Sequence, residues 1–343
     1  MSDKQDLKHR ASALHQAMTA IGDTIFLPTG GVFLKIGLER YRRIREGVPD
    51  VTDEDAWSVY AEWHEGVHMA QLVTSPYVCQ HAFILAALAR EANRNNKDQN
   101  RKSAPWAKLR EDYHSIISEL SKPTAAGFSP WDILESHAVA QGLLWAMPDN
   151  ADSLLWLANH LYAEFKNLPS YLRFIKFVAA KIGEESTIQL LPRICFLSLQ
   201  TNEPTRVATH LTNRIAEDGA ATYLVNSTPR EFCEWAQVDA ARVSKSLRER
   251  NTPLKDHPWL NLFDQYFDCF ETVLDTDERL NLLMGLHGGY SFRMFKPMFT
   301  VFEEGDVQTS LGTDVSEQEE WKDLWVTVTK ELVDGLTILQ EPC

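Results

Sequence analysis

Apolar residues recur at intervals of three and four along most of this chain, and that period restricts it to a mainly α fold. Over 53–73 the series runs Trp57, Tyr60, Ala61, Val67 and Leu72. Thr52 with Asp55 marks the start of this helix, and Thr74-Ser75-Pro76 stops it. A strongly apolar helix is expected over 77–91, and the polar run 92–102 reads as a loop. A third helix is expected over 104–122. Ser129, Pro130 and Asp132 then supply a cap, a proline at the first helical position and an acid in the first turn. They start a helix over 131–147, which Pro148-Asp149-Asn150 closes. Further helices are expected near 151–167, 170–182, 185–200, 205–218, 229–250, 258–273, 277–287 and 315–339.

Two stretches break the helical pattern. Residues 24–37 are apolar, β-branched and aromatic around Pro28-Thr29-Gly30-Gly31, which predicts a hairpin or two short strands. The aromatic-rich stretch 290–302 is also a candidate extended segment. The expected organisation is therefore a helical metal-site region over 1–148 with a small β element near 24–37, followed by a helical part over 149–343. Pro148-Asp149 is the candidate boundary. No internal repeat is evident.

The formal charge of −14 argues against a phosphate-gripping surface, so no nucleic-acid partner is expected. The five cysteines (79, 195, 233, 269 and 343) include no CxxC pair, which argues against a zinc ribbon or a disulfide framework. They read as small buried hydrophobes in a reducing compartment. No apolar run approaches the length of a membrane span, and the first residues lack the apolar core of a secretory leader. The expected setting is cytoplasmic, without a membrane partner. No phosphate-binding P-loop, GxGxxG or GxSxG signature is present.

One constellation carries chemistry: His64-Glu65-Gly66-Val67-His68, an HExxH inside a predicted helix. Four positions apart on a helix, His64 and His68 share a face, and two imidazoles so placed can bind one zinc ion. Glu65 lies about 100° round from His64, able to reach a metal-bound water without being forced to ligate, and is the candidate general base. The plainer alternative is a pair of hydrogen-bonded histidines on a semi-buried helix.

A catalytic zinc needs a third protein ligand and an open position. The strongest candidate is Glu135, in Trp131-Asp-Ile-Leu-Glu135-Ser-His-Ala138, one turn into the helix begun at Ser129. Over about residues 57–142 the chain resembles the gluzincin class of HExxH metallopeptidases. In that class the third ligand is a Glu on a later helix, often with a small residue three positions on, as Ala138 follows Glu135. His68-Met-Ala-Gln71 is similar to the HExxHxxQ form of the motif. The resemblance implies His64, His68 and Glu135 as zinc ligands, Glu65 as catalytic base, and a peptide or protein substrate. His137 is the alternative third ligand or a transition-state hydrogen-bond donor. His287, before Gly288-Gly289, is a second donor candidate. Cys79 and His81 read as core.

Two other readings compete with a zinc-dependent hydrolase. A non-heme iron or di-iron oxidase in a helical bundle needs two ExxH motifs. Glu65 with His68 is one, and Glu111 with His114 is another, with Glu39, Glu62, Glu91 and Glu135 as further carboxylates. A non-catalytic helical interaction protein would instead use the apolar stripe Trp321, Leu324, Trp325, Val328 and Leu332 for a partner helix, where ordinary core packing is the plainer explanation.

Overall fold

The structure is a computed structural model that describes residues 2–19, 24–26, 28–45, 53–96, 104–146, 169–247, 275–285, 299–309 and 315–340. The expected helices at 151–167 and 258–273, the candidate boundary at 148–149 and the stretch 290–298 lie outside the described residues. The fold is mainly α, with a small four-stranded sheet.

The chain begins with α1 (Ser2–Met18) and a hairpin of β1 (Thr24–Phe26) and β2 (Gly31–Phe33), where two strands were expected. Their antiparallel register pairs Ile25 with Val32. The turn closes with Gly30 at φ 63, its N–H and that of Thr29 donating to the Phe26 carbonyl. The hairpin does not stand alone. β2 pairs in parallel with β3 (Phe299–Val301), which forms a second hairpin with β4 (Val307–Thr309). The two ends of the chain thus share one sheet, in the order β1-β2-β3-β4.

After α2 (Leu38–Arg45) come α3 (Asp53–Thr74) and α4 (Pro76–Asn96), which meet at 91° across Ser75. Proline has no N–H to continue the α3 ladder, yet its fixed φ suits the first turn of a new helix. α4 runs past the expected end at residue 91, so residues 92–96 are helix and not loop. Ala92 is fully buried beside Trp106 and Leu339, and Asn95 donates to the Glu91 carboxylate four residues back. Packing overrides the weak helix preference of the asparagines.

α5 (Ala104–Ser121) leads to α6 (Pro130–Ala146). The Ser129–Asp132 start is a reciprocal cap: the Asp132 N–H donates to Ser129 Oγ at 3.2 Å, and the Ser129 N–H donates to the Asp132 carboxylate at 2.6 Å. Arg173 closes the cap from α7 (Pro169–Ile182) through a 3.2 Å bond to Asp132. Then follow α8 (Glu184–Ser198), α9 (Pro204–Glu217), α10 (Ala221–Asn226), α11 (Pro229–Ala236), α12 (Ala240–Val243), α13 (Thr276–Met284) and α14 (Val315–Gln340).

The single helix expected over 229–250 is two. Gln237 turns left-handed at φ 61, and the Val238 N–H bonds back to the Cys233 carbonyl. Asp239 then caps α12 by accepting from the Ala241 and Arg242 N–H groups.

One contiguous core runs through these elements, from Leu7 and Phe33 through Val67, Phe83, Ile133, Phe174 and Phe196 to Leu283, Trp325 and Leu332. It draws on residues from both sides of position 148. Trp325 joins α14 to the sheet, stacked on Phe299 at 4.8 Å and donating from Nε1 to the Thr29 carbonyl. Among the described residues no single helix is long and apolar enough to cross a membrane.

α14 lies against α4 so closely that a Cβ on Gly335 would run into the Ala89 carbonyl. Gly335→Val should therefore destabilise the protein by ~1–3 kcal/mol in urea denaturation, through forced separation of the two helices. Leu324→Ser, on the exposed side of α14, should stay within ~0.5 kcal/mol of the parent.

Candidate metal centre

α3 presents His64, Glu65 and His68, and all three side chains are buried. α6 lies across them. Its Gly142 sits so close to α3 that a Cβ there would be 3.2 Å from the His64 Cα, so the glycine permits the approach. This crossing, with the Ser129–Asp132 cap fixing the start of α6, carries Glu135 onto the two histidines.

The three candidate ligand atoms form a nearly equilateral triangle. His64 Nε2 and His68 Nε2 are 3.2 Å apart. Glu135 Oε2 lies 3.3 Å from the first and 3.4 Å from the second. The ligands of a tetrahedral zinc, at ~2.0–2.1 Å from the metal, stand about 3.3–3.4 Å from one another. Glu135 Oε2 is also a buried oxygen that receives no properly directed hydrogen bond. A buried carboxylate oxygen left in that state is costly, and a cation among the three atoms would satisfy it. The donor set, two imidazoles and one carboxylate, fits zinc and equally fits non-heme iron.

Glu65 completes the group. Its carboxylate and the ligand nitrogens of His64 and His68 all lie within 4.8 Å of one another. All four side chains open on one cavity of about 330 Å³. Its walls are mostly apolar, with Ile25 and Phe26 from β1, Val78, Ala82 and Leu85 from α4, and Leu120 and Trp131 from α5 and α6.

The sequence gives no sign that His81, Tyr113 and Gln340 share this cavity, because they come from three different helices. Cys79 is buried core, as expected. His81, expected beside it in the core, faces the cavity and bonds through Nδ1 to the Tyr77 carbonyl at 2.8 Å. Gln340 donates to the Tyr113 hydroxyl at 2.8 Å.

Other candidates are placed elsewhere. Both ring nitrogens of His137 are committed to protein partners, Gln71 and the Leu283 carbonyl, so it does not join the cluster. Glu111 and His114 are exposed on α5, so the second ExxH is not brought to the first. Glu39 is also exposed, and Glu91 is half-buried at the far end of α4. His287 lies outside the described residues. In the apolar stripe of α14, Trp325 and Leu332 are fully buried in the chain's own core, while Leu324 is exposed.

Charge in the cluster is strongly coupled. Burial works against a charged His68, but the Glu135 carboxylate, with help from Glu65 and Gln71, outweighs it and lifts the ring to about 9. Burial likewise pushes the Glu135 carboxyl up, but the His68 and His64 rings outweigh it and hold Glu135 below the usual carboxylate range. Burial lowers His137 to about 4, with His68 adding to the effect.

Comparison with protein-family models, curated proteins and solved structures finds no match. What the cluster can do has to be read from its own atoms.

With its pKa raised from 6.5 to about 9, His68 holds a proton in the metal-free protein at neutral pH. The pair it forms with Glu135 stabilises the fold fully below the ordinary imidazole value and fades as pH rises through the raised one. A metal needs the unprotonated ring, so zinc affinity should rise by up to about tenfold per pH unit between about pH 6.5 and 8.5. Calorimetry in two buffers near pH 7 should read about one proton released per ion bound. An affinity independent of pH would contradict the role given to His68.

Proposed function

We propose that this chain is a zinc-dependent, peptidase-like hydrolase acting on a peptide or protein substrate. The observation that carries the proposal is the triangle of His64 Nε2, His68 Nε2 and Glu135 Oε2, buried on the wall of a cavity that Glu65 also lines. His64, His68 and Glu135 would hold the metal. Zinc held there would supply Lewis acidity, making water a better nucleophile near neutral pH and a substrate carbonyl a better electrophile. Glu65 accepts the proton of the attacking water on its carboxylate and returns it to the leaving nitrogen. The mostly apolar cavity walls lower the local polarity and so strengthen these charge interactions.

An iron centre is the second reading, because the same two imidazoles and one carboxylate suit mononuclear non-heme iron. Glu65 favours the hydrolase, since beside a ligand set of His64, His68 and Glu135 this fourth buried carboxylate lines the same cavity and can serve as a base. The exposed position of His114 weighs against a two-iron version. The burial of Trp325 and Leu332 weighs against a docking role for that stripe. A reducing, cytoplasmic setting is supported by the buried free thiols of Cys79, Cys195 and Cys233.

Purified protein should carry about one zinc per chain by elemental analysis. Glu65→Gln keeps the side-chain shape and removes the proton acceptor. It should retain the zinc and lose ~10²–10⁴-fold in peptide hydrolysis. Glu135→Ala should lose the metal itself. Loss of zinc in Glu65→Gln, or iron as the bound metal in the wild type, would overturn this reading.

A further inference from the structure

The last carbonyls of α13, and that of Gly285 just after it, have no partners within the helix. Three buried side chains supply them. His137 Nε2 bonds to the Leu283 carbonyl at 2.9 Å, Arg193 Nε to Met284 at 3.3 Å, and Gln141 Nε2 to Gly285 at 3.2 Å. His137 and Gln141 are one turn apart on α6, the helix that carries Glu135. The His137 bond is also the first link of a chain that ends on His68.

Each link fixes the next. A backbone carbonyl can only accept, so the Leu283 bond requires the proton of His137 on Nε2. The Gln71 amide nitrogen lies 3.0 Å from the Leu134 carbonyl, another pure acceptor, which settles which end of the amide is NH₂. The same nitrogen lies 3.0 Å from His137 Nδ1. Because the amide donates there, Nδ1 must offer its lone pair, in agreement with the proton on Nε2. The Gln71 amide oxygen then faces His68 Nδ1 at 2.8 Å and can only accept. His68 must therefore carry a proton on Nδ1. In its neutral form this leaves the Nε2 lone pair directed at His64 and Glu135.

We infer that Gln71 and His137 are positioning residues that lock His68 in the Nδ1–H tautomer, with the Leu283 carbonyl of α13 as the anchor. In the opposite tautomer a proton would stand on Nε2, where the metal has to bind. Gln71 is fully buried, and all of its polar atoms are used, two N–H bonds and one carbonyl bond. The functional consequence rests on the metal reading above, whereas the proton positions along the chain do not.

The test reads the protons directly. Long-range ¹H–¹⁵N spectra of the histidine rings would be recorded on the full chain, metal-free and after one equivalent of zinc chloride. His137 should show the Nε2–H tautomer in both states, and His68 should show Nδ1–H once zinc is added. Gln71→Leu removes both ends of the link and should weaken zinc binding by ~10–100-fold. Gln71→Glu keeps the shape and can still accept from His68 but cannot donate to His137. It should retain zinc affinity within about tenfold while His137, its Nε2–H still held by the Leu283 carbonyl, takes up a second proton on Nδ1 facing the new carboxylate. A merely structural role for Gln71 predicts no such separation of the two readouts.

His137 found as Nδ1–H, or zinc-loaded His68 with its proton on Nε2, would overturn the inference even if either variant fails to fold. If zinc binds normally while His137 is Nδ1–H, the chain of protons fails and the metal reading survives. If the tautomers are as stated and zinc does not bind, the metal reading fails and takes the positioning role with it.

Discussion

Glu135 brings a carboxylate into the interior at 4% exposure, against two imidazoles that are equally buried. Removing such a charge from water costs several kcal/mol unless close partners compensate. Here the compensation lies on α3, so α6 has to cross α3 at the height of His64. That requirement explains Gly142, whose missing side chain lets the helices approach, and the Ser129–Asp132 cap, which fixes where α6 begins. The carboxylate oxygen that faces both imidazoles, Oε2, receives no properly directed hydrogen bond. A cation among the three atoms would complete the geometry. Without one the site depends on a proton held at His68.

The same helix is held from its other side. His137 and Gln141 grip the end of α13, and Arg193 of α8 joins them. The Arg193 guanidinium also donates to the Leu224 and Ser227 carbonyls, which ties α10 to the same point. Burial lowers its pKa to about 10, still high enough to keep the charge. α6 is thus fixed between a charged cluster on one face and a set of backbone carbonyls on the other. Small displacements of α13 would reach His68 through only two side chains, His137 and Gln71.

Much of this fold can be read from local signals. The 53–74 and 130–146 helices follow from their apolar period and from their stop and start residues, and the 24–33 hairpin from its β-branched run around Gly30. What escapes the sequence is contact between distant segments. β3 falls inside the 290–302 stretch expected to be extended, but its parallel pairing with β2 and the short β4 beyond it have no local signal. The extension of α4 through Ala92 depends on Trp106 and Leu339, which no local rule connects to it. The break at Gln237 is a left-handed residue with no glycine to announce it. Within the site, the HExxH is legible because helix geometry alone puts its two histidines on one face. The meeting of Glu135 with them, and the presence of His81, Tyr113 and Gln340 on the same cavity, are set by how helices cross.

The central claim is that two imidazole nitrogens and one carboxylate oxygen bind a single zinc ion. X-ray absorption at the zinc edge, on protein loaded with one equivalent, measures the coordination shell directly. The shell should contain only nitrogen and oxygen donors at ~2.0–2.2 Å, with the outer-shell scattering of two imidazole rings. A sulfur donor at ~2.3 Å, or a shell without imidazole scattering, would show that the metal binds elsewhere and that the His64–His68–Glu135 triangle is not its site.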